Sequence, residues 1–214
     1  IDATYDEIID ETDGKIDVLI NNAGGIFTEA KDTKEGIEQT FAINHLGPFL
    51  LTEMLMTFLL KSKTRIINVS SAAHTQANWS LQNPESKSDW KPLISYANAK
   101  ICNIYTAKYW ANKYKDQGIT AYALHPGVVR TGFGNEFNGV LKILLKIFQL
   151  LMISAKKGAK TSIYLATASD ISEHSGKYFA KQKVKNCSNL ANDLEKQQQL
   201  IDYSNQKIEE ILPR

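Results

Sequence analysis

Three short runs of β-branched and apolar residues, each breaking into small or polar residues, constrain this 214-residue chain more than any other feature. Lys15-Ile16-Asp17-Val18-Leu19-Ile20 breaks into Asn21-Asn22-Ala23-Gly24-Gly25, and Arg65-Ile66-Ile67-Asn68-Val69 ends in Ser70-Ser71. The third run, Thr120-Ala121-Tyr122-Ala123-Leu124, ends in His125-Pro126-Gly127. Such runs read as strands opening into turns. Strands alternating with helical stretches predict an α/β fold built on one parallel sheet covered on both faces. In such sheets the ligand crevice lies beyond the carboxyl ends of the strands, so the three turns are expected to share one site.

A hydrophobic content of 43% is enough for a sizeable core, and neither an internal repeat nor a low-complexity linker divides residues 1–214, so a single domain is expected. The formal charge of +2, with lysines scattered rather than clustered, argues against a nucleic-acid partner. Cys102 and Cys187 lie far apart without metal-ligand spacing, which fits a reducing compartment better than a disulfide framework. His45, His74, His125 and His174 form no zinc-binding pair, so no metal site is expected and the histidines read as structural or surface residues.

Ser95-Tyr96-Ala97-Asn98-Ala99-Lys100 sets a phenol and an ammonium four residues apart, on one face of a helix. A free phenol ionises near pH 10, and a neighbouring positive charge favours the phenolate, so the pair is a candidate proton-transfer device. The same spacing falls on many solvated helices. It gains meaning only with the other segments.

Together, Asn21-Asn22-Ala23-Gly24, Asn44, Ser71, Tyr96 with Lys100, and Pro126-Gly127 resemble, in this order and through nearly the whole chain, the successive motifs of the short-chain dehydrogenase/reductase superfamily. Phe41-Ala42-Ile43-Asn44-His45-Leu46-Gly47-Pro48, Asn68-Val69-Ser70-Ser71-Ala72-Ala73-His74, Gly158-Ala159-Lys160-Thr161 and Ser175-Gly176-Lys177-Tyr178-Phe179 resemble its retinol dehydrogenase-like branch. The resemblance implies a Rossmann-like, doubly wound sheet. It also implies an NADP-dependent oxidoreductase, with NAD as the second option, that interconverts alcohol and carbonyl on a hydrophobic retinoid, lipid aldehyde or steroid-like substrate.

The same resemblance assigns roles. Tyr96 would exchange the proton on the substrate oxygen, and Lys100 would bind the nicotinamide ribose and depress the phenol pKa by its charge. Ser71 would hold the substrate oxygen, with Ser70 as the neighbouring candidate and turn capping as the alternative for both. Asn44 would sit in a helix distorted by Gly47 and Pro48 and hold a water on the path from Lys100 to solvent. Asn22, Ala23 and Gly24 would meet the adenosine half of the cofactor. Pro126 and Gly127 would wall the nicotinamide, with Val129 and Thr131 touching its carboxamide.

The chain departs from the family pattern at its beginning. Ile1-Asp2-Ala3-Thr4-Tyr5-Asp6-Glu7 reads as a helical approach to the first strand, and the family's opening strand with its glycine-rich pyrophosphate turn does not appear, so roughly two βα units are expected to be missing. Two readings follow: an incomplete sequence of a longer enzyme, or a truncated, catalytically silent scaffold.

Residues 139–153 are apolar for about 14 positions, against the roughly 20 that cross a bilayer, and carry Lys142 and Lys146. They are expected to form a lid over a greasy substrate, with peripheral membrane docking as a further role and a plain core helix as the rival. The implied location is intracellular, in the cytoplasm or on the cytosolic face of the endoplasmic reticulum. A homodimer through the helices after Asn44 and Tyr96 is an open option. Trp79 and Trp90, between Ser71 and Tyr96, read as substrate contacts or as packing anchors. Leu190–Ile201 is expected to begin a surface helix at the end of the sheet that runs on toward Ile208, Ile211 and Leu212.

Overall fold

The structure is a computed structural model and describes residues 1–81, 90–127 and 154–211. Helix α1 (Asp2–Thr12) turns through Asp13 and Gly14, both at positive φ, toward β1 (Val18–Asn21). A short helix α2 (Gln39–Phe41) then runs through a π-helical turn, Ala42–Leu46, into α3 (Gly47–Ser62). There follow β2 (Arg65–Val69), α4 (Pro92–Lys113) and β3 (Thr120–His125). The described chain finishes with α5 (Ala155–Thr167), β4 (Tyr178–Ala180), β5 (Lys183–Lys185) and α6 (Leu194–Ile211).

The described strands make one sheet in the order β1-β2-β3-β4-β5. The first four are parallel, with Val18 beside Arg65, Arg65 beside Thr120, and Ala123 beside Tyr178. The expected all-parallel sheet needs one correction, because β5 returns antiparallel to β4. Lys181 and Gln182 connect them with φ of 52° and 61°, the geometry of a tight hairpin, although neither residue is of the type that usually marks one. The exposed Lys183-Val184-Lys185 strand gave no apolar run to detect.

Alternation along the central strands shows why both faces must be covered. Ile66 and Ala121 point into a core with Phe49, Leu55, Leu59 and Trp110, from α3 and α4. Their neighbours Ile67, Tyr122 and Leu124 point the other way, against Leu165 of α5 and Phe179. The doubly wound arrangement therefore follows from β-branched runs that are apolar on both sides.

Proline sets the two helices that matter for the site. Pro92 opens α4 at a position where its missing N–H costs nothing. Pro48 sits where the helix is already running and has no N–H to give the preceding turn, while the Gly47 N–H reaches back five residues to Ala42 O. The distortion expected at Gly47-Pro48 is thus a π-turn centred on Asn44. Helix Gln39–Ser62 is long and apolar enough to cross a membrane by length and composition. Its Phe49, Leu55 and Leu59 are nevertheless buried within the protein.

The carboxyl-terminal helix begins later than expected, at Leu194, and the Leu190–Asn192 segment forms a separate 3-10 turn. Helix α6 lies along α4 rather than at the end of the sheet, and its Leu200 and Ile201 are buried. Its Ser204 meets His45 at 2.9 Å. Leu212 lies outside the described residues, as does the expected lid segment 139–153.

Candidate active site

The carboxyl ends of β1, β2 and β3 open on one cavity of about 1010 Å³. Its lining includes Asn22 and Gly24 after β1, Ser71 after β2, Pro126 and Gly127 after β3, and Tyr96 and Lys100 on α4. Ala23 is exposed at the turn and does not line it. Asn44 is fully buried beneath it. Val129 and Thr131 lie outside the described residues.

Each serine of the Ser70-Ser71 turn does something different. Ser70 is buried and donates its hydroxyl to Lys100 O at 2.6 Å, tying the end of β2 to α4. Ser71 accepts the Ala73 N–H at 3.2 Å, capping the Ala72–Gln76 turn, and lines the cavity together with Tyr96. Capping and the cavity role are therefore not alternatives for Ser71.

Lys100 is only 3% exposed. Its Nζ donates to Val69 O at 3.1 Å, using one of three N–H groups, and lies 5.5 Å from the centre of the Tyr96 ring. Burial pulls its pKa down to about 8. Burial also pushes the Tyr96 phenol above its ordinary value, and the nearby Ser71 hydroxyl opposes that only in part. The expectation of a phenol held below its ordinary pKa is thus corrected: removal from water outweighs the neighbours of Tyr96 and favours the neutral form of both groups.

Asn44 locks the turn after β1. Its Nδ2 donates to Gly25 O and to Thr40 O, both at 2.9 Å, and its Oδ1 accepts the Gly25 N–H at 3.1 Å. A Cβ on Gly24 would run into Asn44 Oδ1 and come within 3.1 Å of Lys100 Nζ. The missing side chain at residue 24 leaves room directly over the lysine, a cradle suited to a flat or hydroxylated group.

Sequence reasoning undervalued three residues. His125 lines the cavity and accepts the Ala72 N–H on Nδ1 at 3.1 Å, so its neutral ring carries hydrogen on Nε2. Burial and the neighbouring His74 lower its pKa. His74 bonds Ser71 O through Nδ1 at 2.7 Å and accepts the Ser188 N–H on Nε2 at 3.2 Å, which fixes the opposite tautomer. Only the position of His125 directly before Pro126-Gly127 could have signalled a cavity role. The third is Glu38, a buried carboxylate that no motif marked.

The two tryptophans are anchors. Trp79 is buried and stacks on Phe41 with ring centres 6.0 Å apart, and Trp90 Nε1 donates to Glu38 at 3.2 Å. Neither lines the cavity. The walls contributed by the Ser71–Tyr96 connection are Ala72, Ala73 and Leu93.

A parallel sheet whose strand ends present Asn22, Ser71 and Pro126-Gly127 to a helical Tyr-Lys pair defines a class. The family model described as short chain dehydrogenase matches residues 1–140. The chain belongs to the short-chain dehydrogenase/reductase family. Within it, the chain is similar to the retinol dehydrogenases: it is 35% identical over 170 residues to mouse retinol dehydrogenase 12, covering 79% of this chain and 54% of that protein. It is 36% identical over 193 residues to human retinol dehydrogenase 13, covering 84% and 56%. The chain thus spans about half the length of these curated relatives. The NADPH-bound carbonyl reductase from chicken fatty liver shares the fold with a TM-score of 0.61, at 23% identity, over 86% of this chain and 71% of that one.

Proposed function

We propose that the protein is a nicotinamide-dependent oxidoreductase that interconverts an alcohol and a carbonyl on a hydrophobic small molecule, with residues 1–214 acting as one catalytic domain. The observation that carries this reading is the convergence of Ser71, Tyr96 and Lys100 on one cavity at the mouth of the strands, with Lys100 Nζ 5.5 Å from the centre of the Tyr96 ring. Its apolar walls, Ile20, Ile26, Leu93 and Ile163, suit a greasy substrate.

The residues present fit the nicotinamide end of a dinucleotide. The cradle at Gly24 admits a close approach, Lys100 has N–H groups to spare for ribose hydroxyls, and among the described residues the cavity lining contains no Asp or Glu. Asn22, Gly24, Tyr96, Lys100, Pro126 and Gly127 would hold the group. When bound, it supplies the hydride donor or acceptor. NADP is favoured because of the resemblance to the retinol dehydrogenase-like branch, with NAD as the alternative.

In the reduction direction Tyr96 holds its proton at neutral pH, as its raised pKa requires, and gives it to the substrate oxygen as that oxygen gains charge. Ser71 orients the same oxygen from the other side. Lys100 stabilises the resulting phenolate, and the Asn44 turn keeps the lysine and the residue 24 cradle in register. For oxidation the steps reverse, with Tyr96 as the base. By the same reading the protein works in the cytoplasm or on the cytosolic face of the endoplasmic reticulum, with a homodimer through α3 and α4 as an open option.

The test is turnover of NADPH and NADH with retinal and a medium-chain aldehyde, for the protein and for Tyr96→Phe. Turnover abolished in the variant with nucleotide binding kept is the expected result. A variant as active as the parent would remove Tyr96 from the mechanism, and an inert parent that binds no nucleotide would favour a silent scaffold.

A further inference from the structure

The buried carboxylate of Glu38, 5% exposed, collects four hydrogen bonds in a two-by-two pattern. Oε1 accepts from Thr40 N at 2.9 Å and Trp90 Nε1 at 3.2 Å, and Oε2 accepts from Phe41 N at 2.9 Å and Ser95 Oγ at 3.1 Å. Each oxygen therefore takes one backbone donor from the start of the α2–α3 helix and one side-chain donor from the approach to α4 or its first turn. Asn44 lies six residues beyond Glu38 on the first of these helices, and Tyr96 directly follows Ser95 on the second.

We infer that Glu38 is a positioning residue that clamps the helix bearing Asn44 to the first turn of the helix bearing Tyr96, and so sets the phenol against Ser71. The inference rests on the oxidoreductase reading for its kinetic consequence, but not for its geometric one. Asp, Ser and Asn are the ordinary side chains for capping the Thr40 and Phe41 N–H groups. Glu is one methylene longer, and that extra reach brings the carboxylate to Trp90 and Ser95 while it still caps. A neutral amide could not replace it: a glutamine NH2 would face two of the four donors whichever way it turned.

Glu38→Asp separates the two duties, because an aspartate keeps the cap and loses the reach. The variant is expected to melt within about 3 °C of the parent. Crystal structures of both should show Tyr96 Oη farther from Ser71 Oγ in the variant than in the parent, by about 0.5 Å or more. With NADPH and a medium-chain aldehyde, kcat is expected to fall about tenfold to a hundredfold while both KM values stay within about twofold, the signature of a displaced reacting group.

If Glu38→Asp does not fold, Ser95→Ala combined with Trp90→Phe removes the same two donors with the cap untouched and should give the same pair of changes. A phenol that stays on Ser71 in a folded variant overturns the clamp, whatever the rate does, and so does an unchanged kcat. A parent protein without turnover overturns the oxidoreductase reading instead, and the crystallographic comparison still decides the clamp.

Discussion

Asn44 and Gly25 hold each other through two reciprocal hydrogen bonds, Nδ2 to the Gly25 carbonyl at 2.9 Å and the Gly25 N–H to Oδ1 at 3.1 Å. The pairing joins a π-turn to the loop after β1, and it depends on residue 24 having no side chain. Gly24→Ala would place a methyl against Asn44 Oδ1, with backbone that L residues rarely adopt at φ 155°. The expected cost is about 2–4 kcal/mol, from the two strained hydrogen bonds and the backbone together. Urea unfolding of the variant measures it. A loss below about 0.5 kcal/mol, the range of ordinary surface substitutions, would mean that the loop can move aside and the cradle is not rigid.

A second polar chain runs through the core beneath the site. Asn21 Nδ2 donates to Asn68 Oδ1 at 2.9 Å, and Asn68 Nδ2 donates to Asn103 O at 3.0 Å and Thr106 Oγ1 at 2.8 Å. Asn68→Ala takes one partner from each of these buried groups, though Asn21 keeps Thr52 and Thr106 keeps Cys102 O, and it opens a cavity, so a destabilisation of about 2–4 kcal/mol is expected. Asn68→Leu fills the volume but not the hydrogen bonds. If chemical denaturation finds the leucine variant as stable as the parent, the chain of amides adds nothing that packing cannot replace.

The three strand ends and the Tyr96–Lys100 pair were legible because period, breaker residues and helical spacing are local properties. Helix distortion at Gly47-Pro48 was legible for the same reason, since a proline in mid-helix removes a donor wherever it occurs. What sequence could not show is what becomes of long-range partners. Glu38 looks like any surface glutamate until Trp90 and Ser95, more than fifty residues away, arrive on it. The sign of the phenol shift was missed because a neighbouring charge can be counted along a helix, whereas the water excluded around Tyr96 depends on all the packed elements. Strand β5 was missed because an exposed edge strand needs no apolar pattern.

His45 provides an acid-sensitive probe of the same helix. Burial pulls its pKa down to about 3, and its ring lies between Phe41 and Phe49 with Nε2 on Ser204. Unfolded, a histidine ionises near pH 6.5. Between those values the unfolded chain binds more protons, so stability falls as pH drops from about 6.5 toward 3, by about 1.4 kcal/mol per pH unit from this group alone. His45→Gln should remove that slope. Unfolding free energies measured at pH 6, 5 and 4 for both proteins test it, and parallel lines would show that His45 is not the group that titrates.

Lys100 makes the opposite use of burial, at the alkaline end. Its folded pKa of about 8 lies below the unfolded value near 10.4, so within that window the folded protein has already released a proton that the unfolded chain still holds. Stability from this group therefore rises with pH between about 8 and 10, and below 8 the full cost of a buried ammonium is present. Lys100→Met keeps a similar shape without the charge. It leaves no orphaned acceptor either, because Asn103 Nδ2 still reaches Val69 O at 3.2 Å. The variant should be more stable than the parent at pH 7, by about 2–3 kcal/mol before the lost hydrogen bond is subtracted, and the gap should close as pH rises to 10. Tyr96, the phenol beside Lys100, keeps its proton through most of this range because burial raises its pKa above the ordinary value, so the difference between the denaturation midpoints reports the lysine. A difference that stays constant from pH 7 to 10 would show that the ammonium is already solvated, and that the cavity does not hold it as a destabilised charge in the protein without added nucleotide.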